Sequence, residues 1–338
     1  MYIHEDSGEF ISTIEEISEI TGYRMDVLEK DYYVTLFLKE LASMQFDDGL
    51  KAYFKGGTAL YKKLKNPKRF SEDIDITLDV TGLNNSQVKQ TLKKASQKYV
   101  ALPRCKGHKK EKNFRSEALM VYEYTPKVPF DAKDKLERFG EVQVEATTFT
   151  ISEPTESMEI NSLIYEKAPE DIKAMLEDRF NIGAFEVKAI TLERLFIDKL
   201  FAAEAYVRRS AQEDKTFEAS KHIYDLSVLS DQERINAFLK DEEAMSYMLQ
   251  IQMKEELSRM KGVAGIVPSK FKFFSSICED DRFEKGFQNM EDIYVFRDED
   301  RFSFQMAVEK ISSLKERLLE NVAWKEAKAV KAEKEFSR

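Results

Sequence analysis

Apolar residues recur at helical spacing near the start of the chain. The positions concerned are Ile14, Ile17, Ile20 and Leu28, followed by Tyr33, Leu36, Leu38 and Leu41. Spacings of three and four residues place such side chains on one face of a helix. The pattern predicts an N-terminal helical region that leads into a longer helix, with both packed on a sheet. The cluster Lys30-Asp31-Tyr32, at the predicted start of the longer helix, is interpreted as capping and surface packing.

Alternation of apolar and polar residues predicts strands. In residues 73–78, isoleucine and leucine side chains alternate with Asp73 and Asp75. Residues 141–147 alternate in the same way, and residues 185–190 are also strand-like. Because successive side chains of a strand face opposite sides, one face of the first two strands is apolar and turns towards the core.

Beyond these strands the pattern is helical. Thr191 is a suitable N-cap for a helix that carries Leu195 and Lys199 at helical spacing. Three phenylalanines, at positions 271, 273 and 274, are interpreted as core residues. The chain is therefore predicted to be an α+β protein in which a mixed sheet flanked by helices is followed by a C-terminal helical bundle. The predicted domains are residues 1–190 and 191–338.

Asp73 and Asp75 share the polar face of their strand and form a candidate metal site. Hard cations such as Mg²⁺ prefer oxygen ligands, keep several waters and usually take one or two carboxylates together with substrate phosphates. In a two-metal site the ions lie about 3.5–4 Å apart and stabilise both oxygens of an in-line displacement. Glu145, on the polar side of the strand at 141–147, is a candidate third carboxylate. The alternatives are Glu141 as the third carboxylate, or Glu145 as a plain exposed carboxylate of the strand.

Gly56, Gly57 and Thr58 form a candidate phosphate-binding turn. Glycine lacks the Cβ atom that would keep a backbone away from a phosphate, and Thr58 is a suitable N-cap for the short helix that follows. Backbone N–H groups at a helix start attract anions. Taken alone, the glycines fit an ordinary turn and the later Asp-x-Asp fits a solvated strand face. The two together, with Ser71 between them, favour a site for nucleotidyl transfer.

Length and composition limit the classes of protein to which the chain can belong. The chain has 338 residues, of which 42% are hydrophobic, and this is enough for two domains with a substantial core. No apolar run reaches the roughly 20 residues that span a bilayer, and the first residues lack the pattern of a secretory signal. We therefore expect a cytoplasmic protein without a membrane partner. Cys105 and Cys278 are too few for a disulfide framework or a zinc cluster.

The charge of the chain argues against general coating of nucleic acid. The formal net charge is −9, whereas non-specific affinity depends on lysine and arginine neutralising phosphates. Residues 103–115 nevertheless concentrate basic side chains around Gly107, with only Glu111 opposing them. This segment is either an RNA-contacting loop or a solvated surface hairpin.

Taken together, the motifs resemble those of the AbiEii-type nucleotidyltransferase toxins of abortive-infection and toxin–antitoxin systems, within the polymerase-β-like nucleotidyltransferase superfamily. The segments that carry the resemblance are KGGTAL at 55–60, RFSEDIDI at 69–76, EKDYYV at 29–34, TLER at 191–194, DKL at 198–200 and HIYDL at 222–226. Their order and spacing fit the family. The resemblance covers roughly residues 25–230.

The resemblance implies a polymerase-β-like catalytic domain in residues 1–190 and a helical domain in residues 191–338 that contributes to the nucleotide site. It implies that Asp73, Asp75 and Glu145 bind Mg²⁺ or Mn²⁺, with Glu145 as a ligand or as the base for the attacking hydroxyl. It also makes Lys199 a catalytic residue that neutralises the triphosphate. The residues expected to bind nucleotide are Gly56, Gly57, Thr58, Ser71, Lys199, Lys221 and Asp225.

The last three of these residues also have structural interpretations. Lys199 fits a snorkelling side chain or an ion pair with Glu204 or Asp225. Lys221 and Asp225 are four residues apart and fit a surface pair on one helix face. Many relatives carry arginine where this chain has Ser220-Lys221-His222, which leaves the role of Lys221 open.

The expected reaction transfers a nucleoside monophosphate from a nucleoside triphosphate to an acceptor hydroxyl, with pyrophosphate leaving. The resemblance implies an RNA acceptor, such as the 3′ end of transfer RNA, a role as a toxin in phage defence, and a cognate antitoxin as partner. The alternatives are nucleotidylation of a protein hydroxyl and a non-catalytic nucleotide-binding scaffold.

Overall fold

The chain folds into two compact units. The computed structural model describes residues 2–65, 68–130, 136–259 and 266–328. Unit 1 comprises Met1–Thr148 and Pro154–Ile190, and unit 2 comprises Phe149–Glu153 and Thr191–Arg338. The chain therefore divides after Ile190, and the short segment Phe149–Glu153, which no sequence pattern singles out, packs with unit 2.

Unit 1 holds a seven-stranded sheet and its helices. The helices are α1 (Ser7–Thr21), α2 (Met25–Phe46), α3 (Gly56–Leu64), α4 (Asn85–Gln97), α5 (Leu163–Glu166) and α6 (Glu170–Phe180). The strands are β1 (Ala52–Lys55), β2 (Ile74–Leu78), β3 (Lys112–Asn113), β4 (Glu117–Glu123), β5 (Glu141–Thr147), β6 (Thr155–Ile160) and β7 (Phe185–Ile190). The order across the sheet is β3-β4-β5-β2-β1-β7-β6.

The sheet is mixed, with both sequence motifs on its central strands. Strand β1, which leads into the glycine turn, pairs antiparallel with β2, which carries the aspartates. On either side of this pair the contacts are parallel, β1 with β7 and β2 with β5. The outer pairs are antiparallel. The predicted α+β architecture with a mixed sheet is therefore confirmed.

Helix α2 packs against the sheet and is buried along most of its length. Of the predicted apolar positions that lie in this helix, Leu28, Tyr33, Leu38 and Leu41 are buried, whereas Leu36 is only half-buried. In α1, by contrast, Ile20 is 57% exposed and does not belong to the buried face. The helical spacing thus identified most of the buried positions, but it also included Leu36 of α2 and Ile20 of α1, which are not buried.

The interpretation of Lys30-Asp31-Tyr32 as a surface cluster is wrong. Helix α2 begins at Met25, so the cluster lies inside the helix, and Lys30 is fully buried. The Lys30 ammonium donates hydrogen bonds to the carbonyl oxygens of Arg138, at 3.0 Å, and Glu141. A buried charge is strongly unfavourable unless it is hydrogen-bonded. Lys30 therefore ties α2 to the segment that leads into β5.

Asp31 makes a second buried connection. Its carboxylate forms an ion pair with Lys62 of α3 at 2.6 Å and accepts a hydrogen bond of 2.6 Å from the backbone N–H of Leu163. The Lys62 ammonium also donates to the Thr35 hydroxyl at 3.1 Å. Because both charges are paired and further hydrogen-bonded, they can remain buried. This network joins α2, α3 and α5, and it fixes the helix that follows the glycine turn.

Unit 2 is helical, as predicted. Its helices are α7 (Leu192–Arg209), α8 (Thr216–Leu229), α9 (Glu233–Phe238), α10 (Glu242–Arg259), α11 (Phe273–Glu279), α12 (Arg282–Tyr294), α13 (Phe304–Glu320) and α14 (Val322–Glu326). Helix α8 packs against α7, α12 and α13. Phe271, Phe273 and Phe274 are buried, which confirms their assignment to the core. No helix in the described parts of the chain has the length and apolar character needed to cross a membrane.

Glu29 of α2 should make the stability of the protein depend on pH. Its buried carboxylate accepts hydrogen bonds from the N–H groups of Lys127, at 2.8 Å, and Val128, at 3.5 Å, yet burial raises its pKa from 4.5 to about 7. Because the native state then holds this proton to a higher pH than the unfolded chain, the free energy of unfolding should fall as the pH rises from 4.5 to 7. The fall should be up to about 3 kcal/mol.

The variant Glu29→Gln, which cannot ionise, should lose this part of the decline. Urea unfolding of both proteins between pH 4.5 and 8 would measure the difference. The same slope with pH in both proteins would contradict the assignment to Glu29.

Candidate active site

Three charged side chains form a row across the centre of the sheet. Lys55 of β1 lies opposite Asp75 of β2, and Asp75 lies opposite Glu145 of β5. Directly paired residues project from the same face, with Cβ atoms about 4.5–5.5 Å apart. The sheet therefore brings Asp75 and Glu145 together and places a cation on the other side of Asp75. The sequence did not predict a role for Lys55, although this residue directly precedes the two glycines.

Asp73 lies beside this row, two residues before Asp75 in the chain. It precedes β2 by one residue and is exposed, whereas Asp75 is half-buried. Alternation turns both side chains to the same face, and the charge of Asp73 acts on the carboxyl of Glu145. Three acidic side chains therefore share one face of the sheet.

Burial raises the pKa of Glu145 above its ordinary value. Among the neighbouring charges, Lys55 and Lys112 lower this pKa, whereas Glu117 and Asp73 raise it further. A carboxyl group with a raised pKa is better suited to accept a proton near neutral pH than an ordinary glutamate. The environment of Glu145 is therefore that of a candidate base.

The alternative third carboxylate, Glu141, has other partners. It is buried four residues before Glu145, where it forms an ion pair with Lys110 and accepts a hydrogen bond of 2.8 Å from the Gln143 side chain. Its position in β5 also lies about 13 Å along the strand from that of Glu145. These contacts favour Glu145 as the acidic neighbour of Asp75.

The two glycines make room for side chains of the aspartate segment. Gly56 has a φ of +80°, and a Cβ atom there would lie 1.9 Å from a carboxylate oxygen of Asp75. At Gly57 a Cβ atom would lie 2.5 Å from the Ser71 hydroxyl. The glycines therefore allow the start of α3 to contact Asp75 and Ser71 closely. The sequence instead suggested that they allow a phosphate to approach the backbone.

Thr58 is not the N-cap of the following helix, so that prediction is wrong. Helix α3 begins at Gly56, and Thr58 lies buried in its first turn, where its hydroxyl donates to the Ser71 hydroxyl at 3.1 Å. The first N–H groups of a helix have no partner within it. In α3 these groups belong to Gly56, Gly57 and Thr58, next to Asp75, and the helix dipole favours an anion there.

The carboxylates are suitable donors for a hard cation, but they do not form a closed cage. Within the described residues, no three histidine, cysteine, aspartate or glutamate side chains form a group that could bind a metal by themselves. Mg²⁺ usually takes only one or two protein carboxylates and fills its remaining positions with water and phosphate oxygens. The sheet thus brings Asp73, Asp75 and Glu145 to one face without gathering them into one ligand cluster.

Glu72 is a buried neighbour of the site that the sequence reasoning missed. Burial raises its pKa to about 7, and the charge of Asp73 raises it as well, whereas Arg138, Lys30 and Arg69 lower it. The Arg138 guanidinium lies 3.9 Å from its carboxylate. Because neighbouring residues of an extended segment face opposite sides, anchoring Glu72 inside holds Asp73 outside. One feature of the sequence could have revealed Glu72: it is an acidic residue at a position on the apolar side of the strand, and a buried carboxylate requires a partner.

Residues 37–308, most of the chain, match the sequence family described as nucleotidyl transferase AbiEii toxin, type IV toxin–antitoxin system. The chain belongs to this family. The match confirms the resemblance that the motifs indicated. The protein is therefore a member of a family of nucleotidyltransferase toxins.

The fold of this AbiEii-family protein is similar to that of MenT4, a nucleotidyltransferase toxin from Mycobacterium tuberculosis H37Rv. The TM-score is 0.52, with 13% sequence identity over 94% of this chain and 90% of the MenT4 chain. At this identity the likeness concerns the fold alone. No protein of curated function shows a significant sequence match to the chain.

In unit 2 of the AbiEii-family protein, Lys199 of α7 forms an ion pair with Asp225 of α8 at 2.7 Å, and both side chains are buried. This pair is one of the structural alternatives considered for Lys199. The Lys221 ammonium lies over the rings of Phe217 and Tyr294, 5.7 Å and 5.3 Å from their centroids, in a cation–π arrangement. The nucleotide contacts of Lys199, Lys221 and Asp225 stay predictions.

Most of the cations in the basic loop at residues 104–115 of the AbiEii-family protein are paired with carboxylates. The ion pairs join Arg104 to Glu111, Lys109 to Glu137, Lys110 to Glu141 and Lys112 to Glu117. Glu137 and Glu141 come from a later part of the chain, so the sequence around the loop does not reveal them. The loop therefore offers less positive charge to an RNA than its sequence suggests.

Gly56→Ala should destabilise the AbiEii-family protein more than Gly82→Ala. Both glycines have positive φ, +80° and +77°, where other residues are strained by about 1–2 kcal/mol. An added Cβ meets nothing within 4 Å at Gly82 but meets the Asp75 carboxylate at Gly56. Urea unfolding should therefore show a loss of about 1 kcal/mol for Gly82→Ala and a clearly larger loss for Gly56→Ala. Equal losses would disprove the contact with Asp75.

Proposed function

We propose that the protein is a metal-dependent nucleotidyltransferase that transfers a nucleoside monophosphate from a nucleoside triphosphate to an acceptor hydroxyl. The observation that carries the proposal is the row of Lys55, Asp75 and Glu145 beside the N-terminal turn of α3. Carboxylates for a cation and N–H groups for an anion thus lie next to each other. Membership of the AbiEii family supports the reaction class.

In this proposal Asp73 and Asp75 hold Mg²⁺ or Mn²⁺. When bound, such ions neutralise phosphate charge and stabilise the attacking and leaving oxygens of an in-line displacement. Asp73 is exposed, which leaves room for the waters and phosphate oxygens that these cations retain. Lys55, which is paired in register with Asp75, limits the repulsion between the carboxylates before a cation binds.

Glu145 has one of two roles in the proposal. It either accepts the proton of the attacking hydroxyl, for which a raised pKa is useful, or completes the oxygen ligands of the metal site. The N–H groups of Gly56, Gly57 and Thr58, together with the Ser71 hydroxyl, bind phosphate oxygens. Phosphoryl transfer depends mainly on positioning and charge stabilisation, and each of these groups supplies one or the other.

The proposed acceptor is the hydroxyl of an RNA, such as the 3′ end of transfer RNA. A nucleotide added there would block aminoacylation, which accounts for growth arrest by a toxin. The type IV toxin–antitoxin system named for the family supports a cognate antitoxin as partner. Because nucleoside triphosphates and transfer RNA are cytoplasmic, the reaction would take place in the cytoplasm.

The reaction is tested with nucleoside triphosphates labelled at the α-phosphate, purified protein, Mg²⁺ and a lysate that contains transfer RNA. Asp73→Asn, Asp75→Asn and Glu145→Gln should each lower transfer by at least about 100-fold, since charge stabilisation of this kind contributes on that scale. Asp79→Asn is the matched control, because it removes a carboxylate just beyond the end of β2 that pairs with Lys51.

Label on RNA that all three site variants abolish would establish the proposed reaction. Label on protein would identify a protein hydroxyl as the acceptor. Nucleotide binding without any transfer would favour a non-catalytic scaffold. An equal loss in Asp79→Asn would show that the effect of the substitutions is general rather than specific to the site.

For unit 2 we infer that Lys199 binds the triphosphate and that Lys221 and Asp225 border the nucleotide. Lys199→Met should raise the KM for the nucleoside triphosphate and also lower stability, because removing one partner of a buried ion pair costs about 3–5 kcal/mol. The double variant Lys199→Met/Asp225→Leu removes both charges and should regain most of the stability, but not the nucleotide affinity. Urea unfolding and nucleotide titration measure the two effects separately. Normal nucleotide binding by the double variant would leave Lys199 with a structural role alone.

A further inference from the structure

A groove at the edge of the sheet in unit 1 carries positive charge of its own. It lies between α4 and the hairpin of β3 and β4 and has a volume of about 580 Å³. Three basic side chains, Lys89, Lys93 and Arg115, line it together with Phe114, and none of the described residues that line it is acidic. In this respect it differs from the rest of the basic loop, residues 104–112, whose cations are mostly paired with carboxylates.

The two lysines of the groove are available for a ligand. Lys89 and Lys93 are exposed on α4, one turn apart, and neither forms an ion pair with any residue described by the structure. Lys94, beside them in sequence, is instead paired with Asp48 at 2.9 Å. A separation of four residues corresponds to about 6 Å along the helix, which is comparable to the distance between neighbouring phosphates of an RNA strand.

The opposite wall of the groove is fixed in place and presents an aromatic ring. The Arg115 guanidinium donates a hydrogen bond of 2.6 Å to the side-chain oxygen of Asn85, which ties the hairpin to the start of α4. Guanidinium has further donors for a phosphate. Phe114 is 63% exposed, which is unusual for a large apolar side chain beside three cations. Grooves that bind single-stranded nucleic acid combine these two features, cations for the backbone and an aromatic ring for a base.

The groove lies next to the sheet edge, on the opposite face of the sheet from the candidate active site. Ala118, which lines the groove, pairs with Ala146, whereas Leu119 pairs with Glu145 and Glu145 with Asp75. Because successive side chains of a strand face opposite sides, Ala118 and Leu119 project from different faces. Three strand spacings of about 4.8 Å separate the edge strand β3 from β2, so the backbones are about 14 Å apart. An RNA strand in the groove would reach the carboxylates by passing around the edge at β3, where Lys112 pairs with Leu119 on the carboxylate side.

We propose that this groove binds the single-stranded end of the RNA acceptor, with its phosphates on Lys89, Lys93 and Arg115 and one base stacked on Phe114. The inference rests on the proposed function, in which RNA is the acceptor. It moves the RNA contact from the paired cations of the basic loop to the unpaired cations of α4.

The test measures binding of a fluorescent single-stranded RNA of about 12 nucleotides, without nucleoside triphosphate, by anisotropy at several salt concentrations. Lys89→Gln/Lys93→Gln should weaken binding and reduce the slope of log affinity against log salt by about 1.4, since each phosphate contact on a single strand contributes about 0.7. Phe114→Ala should weaken binding about tenfold, whereas Phe114→Tyr, which keeps the ring, should not.

The matched control is Lys106→Gln/Lys109→Gln, which removes two charges from the basic loop outside the groove. Unchanged RNA binding in this control, with losses in the groove variants, is the expected result. A loss confined to the control would overturn the inference and return the RNA to the loop. Equal binding by the wild-type protein and all the groove variants would overturn it as well.

The same variants distinguish this inference from the proposed function. If Lys89→Gln/Lys93→Gln binds RNA normally and still transfers label to RNA, only the groove is wrong. If the wild-type protein binds no RNA and labels a protein instead, both the groove and the RNA acceptor are wrong. Asp73→Asn should bind the oligonucleotide as tightly as the wild-type protein, because it changes the transfer site and not the groove.

Discussion

The contact between the backbone of Gly56 and the carboxylate of Asp75 is the constraint on which the candidate site depends. It requires a residue without a Cβ atom and with positive φ, and it sets how closely α3 approaches β2. With this approach the first N–H groups of α3 lie beside the acidic face of the sheet. A helix start alone attracts anions and an aspartate pair alone attracts cations. In the proposed function, their contact lets a metal–phosphate complex meet both.

Behind the acidic face lies a group of charged side chains with little access to water. Lys30, Asp31, Lys62 and Glu72 are largely or fully buried, and each has a partner. Replacing such groups by well-packed apolar residues is often neutral or stabilising, so their contribution lies in the geometry that they impose. Here that geometry fixes α3 against α2 and turns Asp73 outwards. The buried charges thus support the exposed ones.

The parts of the site that follow from local pattern were predictable. Alternation placed Asp73 and Asp75 on one face, and most of the apolar positions predicted for α2 are buried. The register that sets Lys55 and Glu145 beside Asp75 depends on pairing between strands distant in sequence, which alternation does not determine. Thr58 was misplaced because helix α3 has Lys55 as its N-cap and so begins three residues earlier than predicted. The partners of the basic loop were hidden because Glu137 and Glu141 follow it by many residues.

Strand β1 lies between β2, which is the next strand along the chain, and β7, which is the last strand of unit 1. Phe54 pairs with Ala189, and contacts between such distant residues form slowly because a long loop must close first. During synthesis, β1 and the glycine turn leave the ribosome long before β7 does. A nascent or prematurely terminated chain that lacks β7 therefore has β1 as an open sheet edge, which favours aggregation or degradation over activity. The order of synthesis thus delays assembly of the site until more than half of the chain has been made.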